Sequence, residues 1–131
     1  MKEKRKVITS KAPVPVGPYS QAIKAGDFIF CAGQIALDPE TGKLVNTTIE
    51  TETARAIENL KEVLEAAGSS LDRVVKTTIF MINIRDFECM NTIYTSYFSG
   101  AAPPARSTVQ VDALPKGAGI EIECIALAPN T

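Results

Sequence analysis

The sequence predicts an α+β fold, a β-sheet with two helices on one face, in the order βββ-α-β-α-ββ. Three observations predict it. Residues 74–84 and 120–128 are rich in Val, Ile, Thr and Phe and read as strands, whereas residues 48–67 and 86–97 carry apolar side chains at three- and four-residue steps. Clusters of Gly, Pro and Asp separate these segments. The 131 residues, 45% hydrophobic and 22% charged, read as a single domain, residues 1–131, large enough to bury a core without disulfides or a structural metal.

Taken in order, residues 11–18 hold three prolines in eight positions, which fix φ and remove N–H donors, so this stretch is an extended loop. Residues 19–24 and 27–35 read as strands joined at Ala25-Gly26, and residues 38–42, Asp-Pro-Glu-Thr-Gly, as a turn. In the first helix, Ala54, Ile57, Leu60, Leu64 and Ala67 form the apolar stripe, Thr47 and Glu50 have capping-box spacing, and Gly68 ends it. Glu52, Arg55, Glu58, Lys61, Glu62 and Glu65 are expected on its solvated faces. The second helix is expected to start at an Asp86 cap and to bury Phe87, Met90, Ile93, Tyr94 and Tyr97. Strands at residues 105–112 and 120–128 close the chain, joined by Leu114-Pro115-Lys116-Gly117-Ala118-Gly119.

Strand alternation puts Ile120, Ile122, Cys124, Ala126 and Ala128 on one face, and Glu121, Glu123, Ile125 and Leu127 on the other. The strand before it is apolar on both faces: Ile79 and Met81 on one, Phe80 and Ile82 on the other. Two helices cover only one face of such a sheet, so the second needs another cover, and a homo-oligomer is expected.

The chemistry available is narrow. Histidine is absent, which removes Ser-His and Cys-His nucleophile pairs and His-ligated metals; no metal site is expected, and general acid-base work falls to a shifted carboxylate, Lys, Tyr, Cys or water. A net charge of −1 argues against a dedicated nucleic-acid module, and the basic run at residues 2–6 reads as a mobile, solvated terminus. Cys31, Cys89 and Cys124 are dispersed, without C-x-x-C, and read as buried, reduced residues of a cytoplasmic protein. No membrane span and no secretory leader is found. Gly117-Ala118-Gly119 lacks the third glycine of a dinucleotide loop and reads as a turn.

What remains is Arg106, led into its strand by Pro103-Pro104. Alternation groups Arg106, Thr108 and Gln110 on one face, and if Val109 and Val111 face the helices, Arg106 faces the subunit interface. Its guanidinium fork suits a carboxylate ligand held bidentately; the alternative is an internal salt bridge to Glu121 or Glu123.

Pro104-Ala105-Arg106-Ser107, Leu114-Pro115-Lys116 and Ile120-Glu121-Ile122-Glu123 together resemble the C-terminal signature of the RidA/YjgF family. Gly17-Pro18-Tyr19-Ser20-Gln21-Ala22, Gly33-Gln34-Ile35, Val75-Lys76-Thr77-Thr78 and Asp86-Phe87 with Asn91-x-x-Tyr94 resemble its other motifs. The resemblance implies a chorismate-mutase-like fold and a homotrimer around a central β-barrel, with three clefts between subunits. It implies cofactor-free hydrolysis of enamines and imines such as 2-aminoacrylate, released by pyridoxal-phosphate enzymes, to 2-oxo acids and ammonia. By the same resemblance Arg106 clamps the substrate carboxylate and Glu121, its pKa raised in a dry cleft, activates water. Tyr19 and Asn91 orient substrate or water, Thr108 lies beside the water with its backbone carbonyl, and Gly33 lets backbone approach the ligand. Ala32 stands where many members carry a hydroxyl, which puts the substrate preference in question. The competing readings are a non-catalytic metabolite-binding regulator of the same fold, and the translation-inhibitor or ribonuclease role with which the family has been labelled.

Overall fold

The computed structural model describes residues 3–129. Its elements are β1 (Lys4–Val7), β2 (Ala22–Ala25), β3 (Phe28–Gln34), α1 (Ile49–Ala66), β4 (Val74–Met81), α2 (Phe87–Tyr97), β5 (Ala105–Gln110) and β6 (Ile120–Leu127). The six strands form one sheet in the order β1-β2-β3-β6-β4-β5. All neighbours are antiparallel except β4 and β5, which run parallel with α2 as their crossover.

Alternation on the central strands decides where the core sits. Ile29, Ile79, Met81, Ile120, Ile122 and Ala126 are all fully buried, against Ile57, Leu60, Val63 and Leu64 of α1 and Met90 of α2. Each large aliphatic side chain so buried contributes about 1.5–3 kcal/mol. The opposite face has no helix on it. Phe28, Phe30, Val109 and Leu127 there remain 37–46% exposed, on strands that β-propensity alone would place inside a protein.

Several local expectations shift by a residue or a face. Thr48, not Thr47, caps α1, its Oγ1 accepting from the Thr51 N–H at 3.1 Å. Glu52 is not solvated: it is buried, and one carboxylate oxygen accepts from the Gly119 and Ile120 N–H groups at 2.6 and 3.2 Å. That bond ties α1 to the start of β6, and a side chain on Gly119 would crowd it, a Cβ there lying 3.0 Å from Glu52 Oε1. The burial stripe of α1 correspondingly runs through Thr53, Ala56, Leu60 and Val63 rather than Ala54 and Ala67. Asn59 is fully buried, its Nδ2 donating to the Ile35 and Leu37 carbonyls and so fixing the loop after β3.

Asp86 precedes α2 but makes no capping bond; a 3₁₀ turn at Ile84–Asp86, capped by Asn83, leads in instead. Lys4, Arg5 and Lys6, expected in a mobile terminus, lie in β1, an edge strand whose charged side chains discourage further strand pairing. Residues 19–21 are loop rather than strand, because the buried Gln21 amide bonds back to Thr9, Ala12 and Pro13. All three cysteines are free; Cys31 and Cys124 are buried opposite each other across β3 and β6, while Cys89 is exposed, against expectation. Among the described residues no helix is long and apolar enough to cross a membrane.

Candidate active site

The residues singled out from the sequence fall into two groups on opposite faces of the sheet. Arg106 lies on the edge strand β5, opposite Thr77 of β4, and Thr108 lies opposite the buried Ile79. Parallel partners share a face, so Arg106 and Thr108 point toward the helices, and Val109 points to the open face. The conditional expectation that Val109 faces the helices is thereby overturned. The open face carries residues 107 and 109 because Thr77, Ile79 and Met81 of β4 face the core.

The Arg106 guanidinium sits over two rings of α2, its Cζ 5.4 Å from the centroid of Phe87 and 4.8 Å from that of Tyr94. No salt bridge to Glu121 or Glu123 forms, since those carboxylates lie on the other face, opposite Phe80 and Thr78. Asn91, Tyr94, Pro103, Pro104 and Arg106 line one open cleft. Within this region Asn91 Oδ1 and Thr108 Oγ1 are buried and without a hydrogen-bond partner. Buried polar atoms are seldom left unpaired, and Arg73 Nε is a third such atom elsewhere in the fold.

The second group is built around Glu121 on the open face. A cleft of about 350 Å³ is lined by Tyr19, Ala32, Gly33 and Glu121 with the apolar Val14, Val16, Ile35, Leu37 and Pro115. Glu121 is half-buried here, and its carboxyl is pushed above the ordinary value first by burial and then by the neighbouring Glu123 charge. Tyr19 Oη accepts from the Val16 N–H at 3.1 Å, which leaves its own O–H proton free to donate into the cleft. Ala32 is held by its N–H bond to the Gln21 main-chain carbonyl at 3.0 Å, while the Gln21 side-chain amide ties the same residue to Thr9, Ala12 and Pro13.

Gly33 lies in the irregular stretch of β3 between Cys31 and Gln34, and a Cβ on it would stand 2.5 Å from Glu121 Oε2 and 2.8 Å from its Cγ. Its lack of a side chain thus makes room for the Glu121 carboxylate. Gly33→Ala is expected to displace that carboxylate and cut any turnover that depends on it about 10- to 100-fold. The midpoint of urea unfolding should change little, since the crowded atoms belong to a half-exposed side chain. Steady-state kinetics beside a denaturation curve checks both.

Sequence reasoning missed Phe87 and Tyr94 as neighbours of Arg106 and placed them only in the core. The signal was present: Phe87, Asn91 and Tyr94 follow i, i+4, i+7 spacing, so one helix face carries both rings and the amide. Among the described residues no group of three or more His, Cys, Asp or Glu side chains is arranged to hold a metal.

Comparison with known proteins shows what the chain is similar to. A family model described as Endoribonuclease L-PSP matches residues 9–128. A RutC family protein of Pyrococcus abyssi is 54% identical over 123 residues, covering 94% of this chain and 96% of its own. The 2-iminobutanoate/2-iminopropanoate deaminase of Mus musculus is 48% identical over 124 residues, covering 94% of this chain and 91% of its own. A solved protein of the conserved Rid family from Yersinia pestis superposes with a TM-score of 0.93 at 48% identity, over 96% of this chain and all of the other.

Proposed function

The chain belongs to the RidA/YjgF family, and on that premise we propose that it is a 2-iminobutanoate/2-iminopropanoate deaminase, working as a homotrimer without a cofactor. The observation that carries the reading is the separation of the two clefts. A carboxylate-binding arginine and a carboxylate of raised pKa stand on opposite faces of one sheet, so they meet only if two copies face each other. The open face with its exposed Phe28, Phe30, Val109 and Leu127 is the surface such copies would bury. Each site then takes Arg106, Thr108 and Asn91 from one subunit and Tyr19, Ala32, Gly33 and Glu121 from the next, in a ring that closes head to tail.

In that site Arg106 holds the substrate carboxylate through its paired N–H groups. The ionised Glu121 takes a proton from water as the oxygen attacks the imine carbon, and passes it to the nitrogen. Glu121 then carries the carbinolamine hydroxyl proton to the amino nitrogen as the C=O bond forms and the C–N bond breaks, so that the 2-oxo acid and ammonia leave and Glu121 is ionised again. Tyr19 donates to the nitrogen or the water, Asn91 Oδ1 accepts from N–H, and the Thr108 carbonyl borders the water. An imine carbon is electrophilic already, so orientation and one proton shuttle suffice. The methyl of Ala32 and the apolar wall around it favour substrates with an alkyl group over those with a hydroxyl. Three free thiols support a reducing, cytoplasmic setting.

Mixing variants tests the shared site. Arg106→Ala and Glu121→Gln should each be inactive alone. Co-refolded in equal amounts, they should regain about a quarter of native activity, since one subunit junction in four pairs an intact Arg106 with an intact Glu121. No recovery from mixed trimers of verified composition would remove the shared-site reading. Binding of 2-oxo acids without ammonia release by the native protein would favour the regulator instead.

A further inference from the structure

We propose that Phe87 and Tyr94 are positioning residues that hold the Arg106 guanidinium between their ring faces, so that all of its N–H donors stay free for ligand. The inference rests on the carboxylate-clamp reading of Arg106 and adds how the clamp is kept ready. An arginine is ordinarily fixed by a carboxylate or by backbone carbonyls, and either would occupy the fork that a substrate needs. Here neither does. Its Cζ lies within 5.4 Å of both ring centroids, inside the range at which a ring face attracts a cation.

The rings themselves are anchored from below. Tyr94 is 6% exposed, and its Oη is 2.7 Å from Oγ1 of the fully buried Thr77, the residue paired with Arg106 across β4 and β5. Phe98 packs on the same ring at a centroid distance of 4.5 Å. Tilting the Tyr94 ring therefore means breaking a buried hydrogen bond or opening the core. Burial also keeps the Tyr94 phenol above its ordinary pKa, so it is neutral at physiological pH and does not act as a counter-ion to Arg106. Phe87, at the first turn of α2, closes the second side, and Asn91, one turn on, lines the same cleft.

The test uses the assembled native protein with Tyr94→Phe, Tyr94→Leu and Phe87→Leu. Calorimetry measures pyruvate binding, steady-state assays separate KM from kcat, and nitrogen-15 NMR follows the Arg106 Nε–Hε signal. Ring contact should shift that signal upfield in the native protein and in Tyr94→Phe, and each leucine should reduce the shift. The leucine variants should bind pyruvate about tenfold more weakly and raise KM by a similar factor, with a smaller loss of kcat. Tyr94→Phe, which keeps the ring, should stay within about threefold of native in KM. Folded leucine variants with native KM and pyruvate affinity would overturn the proposal, as would a native Nε–Hε signal without a ring-current shift. A loss of kcat that tracks a loss of melting temperature, with KM unmoved, would likewise assign the rings a purely structural role. Phe87 is half-buried, so its variant remains informative if Tyr94→Leu fails to fold. If Arg106→Ala binds pyruvate as well as the native protein does, the clamp reading falls, and the NMR signal still decides whether the rings hold the guanidinium.

Discussion

Arg106→Ala is expected to lower kcat/KM for 2-iminopropanoate by about 10²–10³-fold, because removing one partner of a desolvated, doubly hydrogen-bonded charge pair costs about 3–4 kcal/mol. The loss should appear in both KM and kcat. The clamp binds the ground state and also fixes the imine carbon where the water attacks. Arg106→Lys keeps the charge but lacks the planar fork, and should recover only part of the loss. The fold should survive either change, since Arg106 lies on the edge strand β5 with no salt bridge to any described residue. Pyruvate formation from enzymatically generated 2-aminoacrylate measures the effect, and light scattering checks that the assembly persists. A variant that retains native turnover would remove Arg106 from the site.

The fold was legible in the sequence to the extent that local pattern determines it. The alternation of residues 120–128 correctly separates the buried Ile120, Ile122 and Cys124 from Glu121 and Glu123, because one face of β6 meets α1 and the other meets neither helix among the described residues. The order of elements from β2 onward was legible for the same reason, whereas β1 was read as a solvated terminus. The face of Arg106 was not. On an edge strand both faces are partly exposed, and Val109 and Thr108 suit either side, so only the register with Thr77 and Ile79 decides. Glu52 was misread because a glutamate on a helix is ordinarily solvated. Its burial depends on two N–H groups 67 and 68 residues away, which no local pattern announces. Among the proposed site residues, the strand pattern singled out Arg106 and motif resemblance supplied Glu121 and Gly33, whereas the reason for Gly33 needed coordinates. Its Cβ position is taken up by the Glu121 side chain, and a close approach of that kind leaves no periodic trace.

Glu121 should give the acid limb of the pH profile. Only its ionised form can take a proton from water, so kcat/KM should fall as pH drops through its pKa, which burial and the Glu123 charge hold above the ordinary carboxylate value. Glu123→Gln removes the like charge, makes ionisation easier, and should move that limb to lower pH with little change in the plateau. Glu121→Gln should abolish the limb and lower the plateau about 10²–10³-fold, by loss of the general base. Stability should respond in the opposite sense. A carboxyl whose pKa is raised on folding favours the folded state while protonated, below its unfolded pKa, and that contribution is lost as pH rises through the folded pKa. At neutral pH Glu121 therefore works against folding, and Glu121→Gln should raise the urea midpoint at pH 7 while matching the native protein more closely near pH 4. Activity and stability would then be separated at one residue, as expected where a charge is kept half-buried for its chemistry rather than for the fold. A lower midpoint for Glu121→Gln at pH 7, or an acid limb unmoved by Glu123→Gln, would contradict that account of the carboxylate.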